Sequence, residues 1–271
     1  MPNRGHRTSS AARRMVRFGS VSRTRRTDEE PIATFSLSEE LKEISGLTAL
    51  RAGHLGAVQD EEGTLYVLEV ETGAIAAVMP FGPAGDYEGI ELASDRLFIL
   101  RADGTLFEMA GWNGGDTSSR EIETGLGSKC DAEGLGFDKA NRRLLIACKE
   151  EGQDDLGDRR AIYAFDLETD ALVEEPAFIL DPDEVKGAKK LKPSALAVHP
   201  LTGEVYVLCS VGKHLVEFSR DGAIARSWDL DSAGLEQPEG LAFLDNGDLF
   251  IASEGDDDPP ALKRFAYRDA H

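Results

Sequence analysis

Five positions in this 271-residue chain combine oxygen chemistry with regular spacing: Ser45, Glu88, Glu133, Ser194 and Glu239. Each precedes a small residue (Gly46, Gly89, Gly134, Ala195, Gly240), and the steps between those small residues are 43, 45, 61 and 45. Brought to one level, three carboxylates and two hydroxyls make a hard, negative, oxygen-only ring. Unpaired carboxylates held together raise one another's pKa or recruit a cation. Calcium suits them best, since it accepts roughly six to eight oxygens in loose geometry. Zinc is disfavoured, because the ring has no His or Cys. The plainer alternative is that these glutamates only cap strand starts and face solvent.

A second layer is expected at the far ends of the following strands, from Arg101, Lys149, Glu150, Ser210 and Glu254. Lys149 or Arg101 would stabilise developing negative charge, and Glu254 or Glu150, if desolvated, would act as general base. Salt-bridged rim residues are the alternative. Asp86 and Asp131 flank the ring as further ligands or as turn residues. There is no GxSxG, HExxH, Walker A or strand-linked GxGxxG motif. The five histidines (6, 54, 199, 214, 271) are scattered without a spaced partner.

The elements that must position these residues are short strands. The stretch 237–255, QPEGLAFLDNGDLFIASEG, reads as a hairpin about Asn246-Gly247, and its first half recurs as ISGLTAL, YEGIEL, AEGLGF and PSALAV. Second strands follow at 97–101, 144–148, 205–209 and 249–253, and third strands at 64–68, 105–109, 161–165, 214–218 and 261–265. Fourth strands lie at 74–79, 171–173 and 223–228, with a weaker one at 119–123. Four strands per unit of about 45 residues is the blade of a β-propeller. The expected fold is all-β, a five-bladed propeller over 31–271, with six blades as the alternative. The lone strand 32–37 would complete the last blade and remove an open sheet edge. The extra length of the third unit falls in 150–160 and 181–192, read as surface loops.

Charge is uneven. Residues 1–27 hold eight arginines and no acid, leaving 22 basic and 50 acidic side chains beyond them. So acidic a body repels phosphate backbones, which excludes nucleic-acid binding by the folded part. Residues 1–30 read as a disordered Arg-rich tail, with a transit-like peptide or a twin-arginine signal as weaker readings, since no apolar region follows Arg13-Arg14. No apolar run is long enough for a membrane helix. Cys130, Cys148 and Cys209 form no CxxC and leave an odd cysteine, so packing roles, a reducing compartment and a cytoplasmic location are expected. Export to the periplasm is the alternative if translation starts elsewhere.

The series ISGLT, DYEGIEL, CDAEGLGF with LLIACKE, PSALAV, then QPEGLAFLDNGDLFIASE resembles the SdiA-regulated, YjiK-like proteins over roughly 31–271. That resemblance implies a phytase-like propeller with a calcium ion in its channel and no established substrate. More distantly, the Glu-Gly pairs are similar to the metal-ligand glutamate of gluconolactonase-type propellers, which carries over to Glu88, Glu133 and Glu239 alone. Two expectations follow. In the first, a monomeric propeller uses channel calcium on those glutamates to hydrolyse an ester or phosphoester, with a small, possibly anionic ligand in the channel. In the second, a non-catalytic module uses the metal as a staple between blades.

Overall fold

The computed structural model describes residues 30–51, 53–150, 156–256 and 258–267. The Arg-rich tail lies outside them, apart from its last residue. Five antiparallel sheets stand in a ring. Blade 1 comprises Ile44–Ala49, His54–Gln59, Thr64–Glu69 and Ile75–Pro80; blade 2, Tyr87–Ala93, Arg96–Arg101, Thr105–Ala110 and Ser118–Glu123. Blade 3 runs Ala132–Asp138, Arg143–Cys148 and Arg160–Asp166, and two short pieces, Ala171–Leu172 and Phe178–Leu180, share its outer edge. Blade 4 comprises Lys192–Val198, Val205–Val211, His214–Phe218 and Ile224–Asp229. Blade 5 takes Gln237–Phe243, Leu249–Glu254 and Ala261–Phe265 from the C-terminal part, and Ala33–Ser36 as its outer strand. That closing strand pairs Ala33 with Arg264 and Ser36 with Ala261.

Burial explains why the second strands read as unbroken apolar runs. Leu144 and Ile146 face the core shared with blade 2, while Leu145 and Ala147 face the core shared with blade 4. Leu97 and Ile99 likewise join blade 1, and Phe98 and Leu100 join blade 3. Each blade is thus sandwiched between two others, both faces must be apolar, and period-2 polarity disappears. It returns at the outer strands: Ile75–Pro80 alternates half-buried and exposed residues. The second strand of blade 1, HLGAVQ, and the piece Phe178–Leu180 were not foreseen; the first carries a glycine and few β-branched residues, the second only three residues.

Candidate functional site: the carboxylate mouth of the channel

In every blade the pairing between the inner strand and its neighbour skips one residue, and the skipped residue is the ring position. The ladder jumps from Ile44 to Gly46, Tyr87 to Gly89, Ala132 to Gly134, Pro193 to Ala195 and Pro238 to Gly240. A bulge leaves its residue outside the ladder and re-aims the side chain. The glycine that follows has a separate cause, the closeness of the next blade. A Cβ on Gly89 would lie 2.9 Å from Leu135 Cβ, and one on Gly134 would lie 2.8 Å from the Leu196 backbone nitrogen. Glu-Gly is therefore one device: the bulge aims the carboxylate, and the missing Cβ lets the adjacent inner strand approach.

The ring hydroxyls are used between blades. Ser45 Oγ donates to the Tyr87 carbonyl at 2.5 Å, and Ser194 Oγ donates to the Pro238 carbonyl at 2.7 Å. Each ties its blade to the next at the residue just before that blade's ring glutamate. Two of the three glutamates are shut in, Glu133 at only 2% and Glu239 at only 7% exposed, while Glu88 is half-buried. Lys149 Nζ lies 2.9 Å from Glu133 Oε1. Burial opposes the Lys149 ammonium, but Glu133, Glu239 and Glu88 together outweigh it and raise the lysine's pKa. Lys149 thus sits electrostatically among all three acids.

Each acid holds its proton more tightly than a free glutamate. Burial raises Glu88, and Glu133 and Asp86 add to it. Glu133 is raised by burial against the opposing pull of Lys149. Burial, helped by Glu133, pushes Glu239 up to about 8, although a hydrogen bond from Ser210 works the other way. Burial, with Asp60 and Glu43, pushes Glu254 up to about 7. Asp60 is pushed up to about 6 by burial and by Glu43, Glu61 and Asp86.

The second layer differs in membership from the sequence expectation. Tyr87 pairs with Arg101, as Ala132 pairs with Cys148 and Pro238 with Ser253, so Arg101 is the equivalent of those residues and not of Lys149. Its guanidinium binds Asp103 at 2.7 Å and lies over the Phe107 ring. The residues equivalent to Lys149 are Asp60, Ala102, Ser210 and Glu254. The Asp60, Ala102 and Lys149 N–H groups donate to the carbonyls of Glu43, Asp86 and Asp131, each two residues before a ring position. Glu150 is engaged by Lys192 and, at 3.7 Å, by Arg160. Lys149 and Glu254 therefore join the ring, whereas Arg101 and Glu150 are held by other partners. Asp60 was missed because the second strand of blade 1 was missed; aligning 54–60 with 143–149 would have found it.

The expectation of three packing cysteines is corrected. Cys130 and Cys148 form a disulfide, with Cα atoms 5.3 Å apart. They flank an antiparallel hairpin whose pairing of Ala132 with Cys148 brings the two ends together, a proximity that parity and CxxC spacing do not register. Cys148 adjoins Lys149 in the chain, and Cys130 lies three residues before Glu133. Cys209 is free and buried.

Calcium at this ring meets a mixed test. The donors are all oxygens, and Glu133 Oε2 and Glu239 Oε2 are buried without a hydrogen-bond partner. Yet among the described residues no three His, Cys, Asp or Glu side chains are grouped so as to hold a metal ion, and one Glu133 oxygen is already taken by Lys149. No described helix is long and apolar enough to cross a membrane.

Comparison with solved structures identifies the same architecture elsewhere. Glutaminyl cyclase from Myxococcus xanthus superposes with a TM-score of 0.61 at 18% identity, covering 87% of this chain and 94% of that one. The PQQ-bound aldose sugar dehydrogenase from Streptomyces coelicolor gives 0.54 at 17% identity, covering 87% and 97%. At such identities the likeness is one of fold. No curated protein sequence matches significantly. The SdiA-regulated family model, however, matches residues 28–257, a span that includes all five bulged positions and Lys149. The chain belongs to the SdiA-regulated family.

Proposed function

We propose that the carboxylate mouth binds a small neutral polar molecule and exchanges protons with it, in the manner of an ester or lactone hydrolase. The observation that carries this is the meeting of one ammonium, Lys149, with carboxyls whose proton affinity is raised into the working range. Lys149 is seen to spend one N–H donor on Glu133, and an ester carbonyl could accept another. Water would attack that carbonyl while Glu239 takes its proton, and Glu88, held in its acid form, would protonate the departing alkoxide. The surrounding negative potential favours neutral substrates over anions.

The test is turnover of a panel of neutral aryl esters and lactones across pH. Glu239→Gln should lower kcat/KM by roughly a hundredfold or more with the fold intact. Absence of turnover throughout the panel would leave a binding module. Calcium is the second reading, favoured by the orphaned oxygens of Glu133 and Glu239. An ion there would compete with Lys149, so calorimetric titration should show tighter calcium binding to Lys149→Met than to the unaltered protein. The disulfide favours an oxidising compartment over the cytoplasm.

A further inference from the structure

A large cavity lies away from the carboxylate ring. It opens on the opposite face, among the C-terminal ends of the inner strands, with a volume of about 940 Å³. That is at the upper end of the roughly 300–1,000 Å³ of small-molecule sites. Glu91 contributes to its lining. Glu91 follows Gly89 by two, the offset also occupied by Thr48, Ala197 and Ala242 on other inner strands, and all three line the same cavity. The inner strands therefore present one carboxyl at a level otherwise made of small, mostly apolar residues. Leu92, Phe137 and Phe243, each one residue further on, supply an apolar wall.

Glu91 is half-buried. Among the described residues no hydrogen bond or ion pair reaches its carboxyl, and burial pushes it up to about 8 with no other group contributing. None of the four cations lining this mouth influences Glu91: Arg51 donates to the Ser94 carbonyl, Arg220 to the Thr202 carbonyl and Arg143 to Asp138, and Lys139 makes no ion pair with Glu91. A half-buried carboxyl in apolar surroundings ionises at a cost when no counter-charge is near, so the missing counter-charge is the feature a ligand would supply. Glu88 is three residues away on the same strand, about 10 Å along it, so the two mouths are separate sites.

We propose that this second mouth is a binding site for an organic amine with an apolar body, its ammonium pairing with Glu91 and its hydrocarbon or aromatic part lying against Leu92, Phe137 and Phe243. The test is calorimetry on the full chain with phenethylamine, 2-phenylethanol and 3-phenylpropionate, which share a body and differ in head group. The amine should bind tightest, Glu91→Gln should weaken it at least tenfold while leaving the alcohol unchanged, and Glu88→Gln should leave it unchanged. Phe137→Ala should weaken the amine and the alcohol alike. Preference for the carboxylate, equal amine binding by Glu91→Gln, loss of amine binding in Glu88→Gln, or no binding by any of the three would each overturn the proposal. None of these results depends on turnover at the other mouth.

Discussion

Lys149→Met is the most informative perturbation of the ring, because it removes a charge while keeping an unbranched apolar stem of similar length. In the unaltered protein the ammonium lies 2.9 Å from Glu133, a side chain only 3% exposed. Breaking a buried pair from one side costs about 3–5 kcal/mol, since the remaining charge stays buried. Here the remaining group can escape by binding a proton. Glu133 is already raised by burial, and Lys149 is the strongest influence holding it down; without the lysine it rises further. A carboxyl raised in the folded state takes up a proton on folding, so its contribution is most favourable at low pH and declines as pH climbs through the folded value. The penalty of Lys149→Met should therefore grow with pH, by at most about 1.4 kcal/mol per unit while one proton is involved. We expect less than about 1 kcal/mol near pH 5 and about 3 kcal/mol near pH 9. In a domain of this size that corresponds to a Tm lowered by about 6–12 °C at the alkaline end. Differential scanning calorimetry at the two pH values, with urea unfolding as a second measure, reads this directly. An equal loss at both would show that Lys149 contributes by packing its alkyl chain, and the electrostatic account of the ring would fail.

Three further outcomes follow from the same structure. Reducing the Cys130–Cys148 bond, which closes a separation of 18 residues, should cost about 3 kcal/mol; an unchanged Tm in dithiothreitol, with free thiols confirmed by labelling, would refute a stabilising bridge. Ser45→Ala and Ser194→Ala should each cost about 1–2 kcal/mol by leaving a buried interblade carbonyl without its donor. Sharing no hydrogen-bond partner, their effects should add to within about 0.5 kcal/mol, and a strongly non-additive double variant would contradict independent staples. A chain beginning at Ser38 lacks the strand that covers Ala261–Phe265, and light scattering should detect its association through the bared edge; a well-behaved monomer of undiminished stability would refute the closure argument.

The fold was legible in the sequence because a propeller repeats its demands. Each inner strand needs a small residue where the next blade closes in, and Gly46, Gly89, Gly134 and Gly240 answer that demand at intervals the eye can measure. Blade membership, closure by Ala33–Ser36 and the convergence of Glu88, Glu133 and Glu239 on one mouth all follow from that periodicity. Periodicity carries no information about which face of a strand end a side chain takes. Arg101 and Lys149 looked equivalent, yet a one-residue difference in register sends Arg101 to Asp103 and Lys149 to Glu133. Likewise Cys130 and Cys148 are ordinary in the chain and become neighbours only when the hairpin between them forms. Glu91 shows the same division. Its sequence neighbours mark it as one more polar residue in a strand, and only the closed ring surrounds it with small and apolar side chains and leaves it unpaired. Local spacing determines which residues share a level, while desolvation and pairing are properties of the assembled blades, because both depend on atoms brought together from distant parts of the chain.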